Sequence, residues 1–324
     1  MSDTISRGPL SIISGRSNPK LALAAARVSG AGELRSCDIR RFSDGELYVE
    51  VSDNVRGHDV FVIQSTSSPG NDYLMELLII LDALRRSSAE RITAVLPYFG
   101  YARQDRKTRP RVPITAKLVS DLIVAAGAHR VLTMDLHAGQ IMGFFNIPVD
   151  NLYAMPVHLK YLREKFGEED ICIVSPDAGG VARARSYAKH LGDASLAIID
   201  KRRSGPNEVA EMNVVGDVFG KTTIIVDDMV DTGSTLIKAA DALLDRGAER
   251  VVTVCTHAVL SGTAKTRLPE SSIEEIIVSD TIYHADLDNG DLPWLKRLSV
   301  APIIGEAIKR IHEDDSISSL FDIV

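Results

Sequence analysis

The sequence predicts an α/β fold made of two similar domains, each a mostly parallel sheet flanked by helices. Three observations carry that expectation. Short β-branched runs alternate with longer amphipathic stretches along all 324 residues, the pattern of βα units. Asp82-Ala83-Leu84 followed by Ala89-Glu90-Arg91 reappears as Asp241-Ala242-Leu243 followed by Ala248-Glu249-Arg250 at one constant offset, as a duplicated αβ unit would. Charged turns follow the carboxyl ends of the expected strands, where ligands gather on open α/β sheets. The length allows about two domains, each with its own core. The expected division is 1–152 and 153–324, with the tail 308–324 free to pack back on the first domain.

Leu10–Ser14 reads as a strand, and Ser17-Asn18-Pro19 opens a helix, with proline where a missing N–H costs nothing. Glu33–Ile39 and Leu47–Val51 bracket Arg41-Phe42-Ser43-Asp44-Gly45-Glu46, whose Asp-Gly pair is a hairpin signal. Val60–Gln64 is a buried-type strand, Ser65–Asn71 a loop, and Asp72–Arg86 a helix with Leu74, Leu77, Leu78 and Leu81 on one stripe. After the strand Arg91–Leu96, a loop from Tyr98 to Pro113 concentrates Arg103, Arg106, Lys107, Arg109 and Arg111. Such a loop is either solvated or closes over a polyanion. Helix Ile114–Ala126 and strand Arg130–Met134 follow, with Asp135-Leu136-His137-Ala138-Gly139-Gln140 at the strand's carboxyl end. Pro148–Pro156 reads as a crossover between halves.

In the second half, helix Val157–Phe166, strand Ile171–Val174, turn Ser175–Gly180, helix Val181–Leu191 and strand Ser195–Ile199 lead to a second basic loop, Asp200–Pro206. Ile224–Val226, Arg250–Cys255, Ile276–Val278 and Leu298–Val300 complete the core, with helices at Leu236–Arg246 and Ala301–His312.

Composition narrows the function. A net charge of −7 argues against general nucleic-acid or membrane-surface binding, so the basic clusters read as local anion sites. Cys37, Cys172 and Cys255 are widely separated and lack C-x-x-C spacing; they read as small buried hydrophobes in strands. The first ten residues lack the apolar core of a signal peptide, and no apolar run approaches the ~18 residues of a membrane span. A cytoplasmic enzyme or binding protein is the expectation. Gly216–Thr222 is one residue short of a P-loop and feeds a strand, and no G-x-G-x-x-G supports a nicotinamide cofactor.

The chemistry converges on the stretch from Ile224 to Leu236, where a β-branched run stops at Asp227 and Asp228 and re-emerges as a helix beyond Asp231-Thr232-Gly233-Ser234-Thr235. The first N–H groups of a helix lack partners and lie at the positive end of its dipole, so a phosphate binds there, helped by the hydroxyls of Thr232, Ser234 and Thr235. Asp227 and Asp228 either accept hydrogen bonds from vicinal hydroxyls or share a cation. A phosphate beside a diol is a sugar phosphate. Alone, the hydroxyl residues would be no more than a helix cap; the three carboxylates turn the balance to binding. The first-half loop Ser65–Asn71 lacks them, so only the second half is expected to hold the sugar phosphate. His137 is a structural histidine unless a phosphate-bound Mg²⁺, which needs few protein donors, comes near it.

This stretch resembles the phosphoribosyl-diphosphate (PRPP) motif of the type I phosphoribosyltransferase superfamily. From about Ile12 to Phe321 the chain is similar to the Mg²⁺- and phosphate-dependent ribose-phosphate diphosphokinases. Arg41–Glu46, Tyr101-Ala102-Arg103-Gln104-Asp105-Arg106-Lys107, Asp135-Leu136-His137-Ala138, Ser175-Pro176-Asp177, Asp200-Lys201-Arg202-Arg203 and Val226-Asp227-Asp228 to Thr235 carry the likeness, in family order. The resemblance implies phosphoribosyltransferase-like domains and transfer of the β,γ-diphosphoryl group of ATP to the C1 hydroxyl of ribose 5-phosphate, giving PRPP and AMP for nucleotide biosynthesis. It implies that Phe42, Asp44, Gly45 and Glu46 contact ATP, the two carboxylates from a neighbouring subunit, and that Arg103 and Gln104 contact it too. By the same likeness His137 and Asp177 serve Mg²⁺, and Lys201 and Arg203 stabilise the transferring group, Arg203 also reaching the ribose phosphate. Asp227 and Asp228 hold the ribose hydroxyls or a second cation, and Asp231, Thr232, Gly233, Ser234 and Thr235 hold the 5-phosphate. A homo-hexamer, activation by inorganic phosphate and inhibition by ADP are further implications.

Family members usually carry glycine where this chain has Ser234, which bears on phosphate affinity, and Ala258 and Thr263 also depart from the usual pattern. A nucleobase phosphoribosyltransferase would use the same cradle but leaves the duplicated half and the loop Arg103–Arg111 without purpose. A catalytically silent relative would be expected to lose Lys201, Arg203 or His137, and all three are present.

Overall fold

The β-branched runs become the inner strands of two separate sheets. In the computed structural model, residues 8–202, 211–288, 290 and 292–320 are described. In chain order the first half holds β1 (Leu10–Ser14), α1 (Pro19–Ser29), β2 (Cys37–Arg41), β3 (Leu47–Val51), β4 (Asp59–Ile63), α2 (Gly70–Arg86), β5 (Arg91–Leu96), α3 (Thr115–Ala126), β6 (Arg130–Met134) and β7 (Val149–Leu152). Next come α4 (Met155–Phe166), β8 (Ile171–Ser175), α5 (Val181–His190), β9 (Ser195–Arg202), β10 (Glu211–Val215), β11 (Thr222–Val230) and α6 (Ser234–Asp245). The chain closes with β12 (Arg250–Ala258), α7 (Ala264–Arg267), β13 (Glu275–Ser279), α8 (Ala285–Asp288), β14 (Leu295–Leu298) and α9 (Ala301–Glu313).

Two compact units result. The first takes the described residues up to Tyr153, with Thr281–Tyr283 and those from Val300 onward; the second takes the described part of Ala154–Asp280 with His284–Ser299. The first contains a parallel sheet in the order β1-β4-β5-β6-β7 and the antiparallel hairpin β2-β3. The second contains β10-β9-β8-β11-β12-β13-β14, parallel except for β10 at the edge. Read from β8, its parallel strands β8-β11-β12-β13-β14 repeat the first order.

The sequence repeat has a structural counterpart. Ala89 N–H donates to Leu84 O (3.2 Å) and Ala248 N–H to Leu243 O (3.1 Å). Ser88 and Gly247 take the left-handed conformation at the same place in each turn, with φ of 59° and 84°.

Burial follows the pattern expected of sheets covered on both faces. All five residues of β4 are buried, and α2 turns Leu77, Ile80, Leu81 and Leu84 inward while Leu74 and Leu78 are half-buried against the same core. Asn18 caps α1 by accepting from Leu21 N–H at 3.2 Å, with Pro19 at the first helical position. α9 buries Ile304, Ala307, Ile308 and Ile311, and Gly305 lets it approach α1 closely, since a Cβ there would lie 2.7 Å from Ala25 O. Cys37, Cys172 and Cys255 are free and stand in strands, the last two buried.

Several sequence expectations shift. Pro148–Pro156 is no simple crossover: Val149–Leu152 adds β7 to the sheet beside β6, a strand masked in the sequence by its two polar central residues. The strand expected over Glu33–Ile39 starts only at Cys37, and the one expected at Leu298–Val300 is Leu295–Leu298. β11 runs on through Asp227 and Asp228 to Val230, because β12 continues to pair with it beyond the carboxylates. Asp200, Lys201 and Arg202 are not loop but the end of β9, hydrogen-bonded to β10, which sequence reading did not foresee. A polar strand end leaves no hydrophobic signature; its partner strand alone defines it.

Candidate active site

The site in the second unit is built at the point where the chain changes direction across the sheet. β8 is followed outward by β9 on one side, and β11 by β12 on the other, so the turns after β8 and β11 diverge and leave a crevice at their carboxyl ends. The first sheet, which has β1 at its edge, offers no such divergence between β1 and β4. Pairing of β11 with β8 ends at Ile225, so Asp227 and Asp228 stand on the overhanging end of β11 beside the Ser175-Pro176-Asp177 turn. That places Asp177 and the Asp227–Thr235 stretch on neighbouring strand ends.

The phosphate-loop candidates follow directly. Gly233 (φ 75°) caps α6 and accepts from Ile237 N–H at 2.9 Å. A Cβ at Gly233 would lie 2.6 Å from Leu268 Cδ2, so a side chain there must displace the buried Leu268 as well as strain the backbone. Being glycine, this cap spends no side chain on the first-turn N–H groups, which suits an anion. Thr232 Oγ1 donates to Ser234 Oγ at 3.4 Å. Ser261 holds the other end of the loop: its N–H donates to Asp231 O at 3.2 Å and its hydroxyl to Asp231 Oδ1. Asp177 Oδ1 accepts from Gly180 N–H at 3.0 Å, and Ser175 Oγ donates to Asp177 O at 2.7 Å, fixing that turn.

Two arginines that the sequence reading passed over complete this face. Arg183, in the first turn of α5, brings its Nη1 within 3.6 Å of Asp227 Oδ1 and 3.8 Å of Asp228 Oδ1. Arg267, the last residue of α7, donates from Nη1 to Ser234 Oγ at 2.7 Å. Arg183 lies three residues past Gly180 at a helix start, but nothing local ties it to Asp227. Arg267 had no local signal at all.

Electrostatics set the carboxylate pair apart. Burial first, then the charge of Asp228 and its hydrogen bond, push the Asp227 carboxyl up to about 8, against the pull of Arg183. The buried Cys255 thiol is likewise pushed well above its ordinary value by burial and by the same two carboxylates, which keeps it a packed thiol and no nucleophile. Because the folded pKa of Asp227 exceeds its unfolded value near ~4, its contribution to stability is full below that value and is lost as pH rises through about 8. Asp227→Asn therefore raises the melting temperature of the ligand-free protein at pH 9 by roughly 3–6 °C, and the gain shrinks toward pH 4. Calorimetry at the two pH values checks this; an equal gap at both refutes it.

Lys201 stands on β9 with its backbone in register with Met212 of β10. Arg203 lies outside the described residues, as does Phe321. In the first unit, Phe42 is exposed at the tip of the β2-β3 hairpin, its ring edge-on to Tyr48 at 5.7 Å. That tip is a tight turn: Gly45 has φ 96° and donates to Phe42 O at 3.0 Å, and Asp44 Oδ1 accepts from Glu46 N–H at 3.0 Å. Arg103 and Gln104 are exposed beyond β5, where Gln104 Oε1 accepts from Thr115 Oγ1 at 2.5 Å. Arg106, Lys107, Arg109 and Arg111 are exposed too. His137 is exposed just past β6, two residues after the buried, left-handed Asp135 (φ 42°), whereas His257 is buried within β12. Among the described residues no three His, Cys, Asp or Glu side chains cluster to hold a metal, and no helix is long and apolar enough to cross a membrane.

Comparison with known proteins agrees with this geometry. Residues 10–127 match the N-terminal domain of ribose phosphate pyrophosphokinase, and residues 195–322 match the phosphoribosyl synthetase-associated domain. The ribose-phosphate pyrophosphokinase of Brucella melitensis is 55% identical over 97% of this chain and 100% of its own length. That of Bradyrhizobium diazoefficiens is 54% identical over 97% of this chain and 98% of its own. A crystal structure of phosphoribosylpyrophosphate synthetase from Mycobacterium smegmatis superposes with a TM-score of 0.89 at 43% identity, covering 94% of this chain and 99% of that one. With relatives of 55% and 54% identity matched over 97% of its length, the chain belongs to the ribose-phosphate pyrophosphokinase family.

Proposed function

We propose that the protein transfers the β,γ-diphosphoryl group of ATP to ribose 5-phosphate, giving PRPP and AMP. The observation that carries this reading is the paired carboxylates and open-capped phosphate loop set together at the divergence of β8 and β11. The loop Asp231–Thr235 receives the 5-phosphate on the first-turn N–H groups of α6, and Asp227 and Asp228 accept from the ribose hydroxyls. The C1 oxygen then attacks the β-phosphorus, the bond to the α,β-bridging oxygen breaks, AMP departs with that oxygen, and the C1 hydroxyl proton is released.

Negative charge grows on the non-bridging oxygens, so positioning and fixed cations carry most of the rate. Lys201 and Arg203 are the cations at the transferring group. Phe42, Asp44, Gly45 and Glu46 of the hairpin tip, with Arg103 and Gln104, hold ATP. Mg²⁺ needs few protein donors, since it keeps waters and substrate oxygens. His137 and Asp177 would hold it, and the ion when bound would neutralise phosphate charge. Inorganic phosphate and ADP are effectors, the assembly is a homo-hexamer, and the site of action is the cytoplasm.

Incubation with ATP, Mg²⁺, phosphate and ribose 5-phosphate is expected to yield AMP and PRPP in equal amounts, and excess EDTA to stop both. ADP as the nucleotide product would mean an ordinary kinase and would end this reading.

A further inference from the structure

The loop that follows β12 grips the phosphate cradle at three consecutive points: Ser261 on Asp231, Leu268 against Gly233, and Arg267 on Ser234. The first two contacts shape the loop. The third is electrostatically odd, because it seats a guanidinium on the first residue of α6, at the positive end of that helix. Two positive features are thus held together with one neutral hydroxyl between them. Among the described residues no carboxylate is paired with Arg267; its side chain bonds only to Ser234 Oγ, at 2.7 Å. Asp231, the nearest acidic residue of the loop, has its carboxylate engaged by Ser261.

An anion at the start of α6 resolves the arrangement. A phosphate received by the first-turn N–H groups lies against the Ser234 side chain, within reach of a guanidinium already fixed to that side chain, and Arg is suited to phosphate through its planar array of donors. We infer that Arg267 is a further ligand of the 5-phosphate, held in place by the hydroxyl of Ser234, so that α7 supplies the cradle with the fixed positive charge its own loop lacks. This rests on the reading of the cradle as the ribose 5-phosphate site. It also gives Ser234 a definite task, that of orienting Arg267.

The test compares wild type with Arg267→Gln, Arg267→Lys and Ser234→Gly. Each is titrated with ribose 5-phosphate by calorimetry and assayed for AMP formation. Loss of a charge-assisted phosphate contact is expected to weaken ribose 5-phosphate binding by about 10- to 10²-fold in Arg267→Gln, with a parallel rise in its KM. The KM for ATP stays within about twofold. Arg267→Lys, a point cation without the planar array, recovers part of the loss, and Ser234→Gly falls between wild type and Arg267→Gln. Unchanged ribose 5-phosphate affinity in folded Arg267→Gln overturns the inference. So does a loss shared equally by ribose 5-phosphate and ATP, which marks a scaffold residue. Wild type that binds ribose 5-phosphate but makes no AMP sinks the proposed reaction alone, since the calorimetric comparison still decides Arg267.

Discussion

Lys201→Ala is expected to lower turnover by at least ~10²-fold, the scale of losing one preorganised charge-stabilising group, while ribose 5-phosphate still binds. The reason is geometric as well as electrostatic. Lys201 does not hang from a loop: its backbone is fixed by the β9-β10 ladder, in register with Met212. A cation anchored at a strand end costs less reorganisation when charge develops on the transferring group than one recruited from solvent. Its removal therefore affects the chemical step more than substrate capture. Steady-state kcat with a calorimetric titration of ribose 5-phosphate separates the two, and an almost unchanged rate removes Lys201 from the mechanism.

Gly233→Val is expected to raise the KM for ribose 5-phosphate by ~10²-fold, the effect of displacing a positioning group by about 1 Å. Two costs coincide at this residue. Its φ of 75° lies where a β-branched side chain is strained. Its Cβ would also lie 2.6 Å from Leu268 Cδ2 and 2.9 Å from Leu268 Cγ, and Leu268 is itself buried, so the loop or Leu268 must shift. Removing the obstacle with Leu268→Ala in the Gly233→Val background relieves the clash but not the backbone strain, so only part of the loss returns. Full recovery would mean that sterics alone hold the loop; a single variant with wild-type KM would mean the loop does not carry the phosphate.

Substitutions on the same face also bear on how function and stability trade. Burial and the neighbouring Asp228 oppose ionisation of Asp227, with Arg183 as partial relief. A residue chosen for stability alone would not sit there. The stability gain expected for Asp227→Asn thus comes from the same buried pair that is proposed to accept the ribose hydroxyls.

Periodicity and turn chemistry in the sequence were enough to locate β1, β3, β5, β6 and helix α9 within about a residue, and the start of α1. The repeat around Leu84 and Leu243 reappears as the same helix-to-strand turn in both units. These features are local: an apolar stripe, a capping side chain and a left-handed turn are written in neighbouring residues. The strand–turn–helix geometry of the proposed phosphate loop was legible for the same reason, since strand, carboxylates, glycine and helix start are contiguous from Ile224 to Leu236. What tertiary structure alone decided was non-local. β7, with polar Asp150 and Asn151 at its centre, exists because β6 offers it a ladder, and β10 stands at the sheet edge because β9 pairs with it. Arg183 and Arg267 reach the carboxylate pair and Ser234 across 44 and 33 positions of chain, a distance over which sequence carries no periodic signal. Short-range physics fixed the cradle; only the folding of β8 beside β11, and of α7 over α6, determined which cations would surround it.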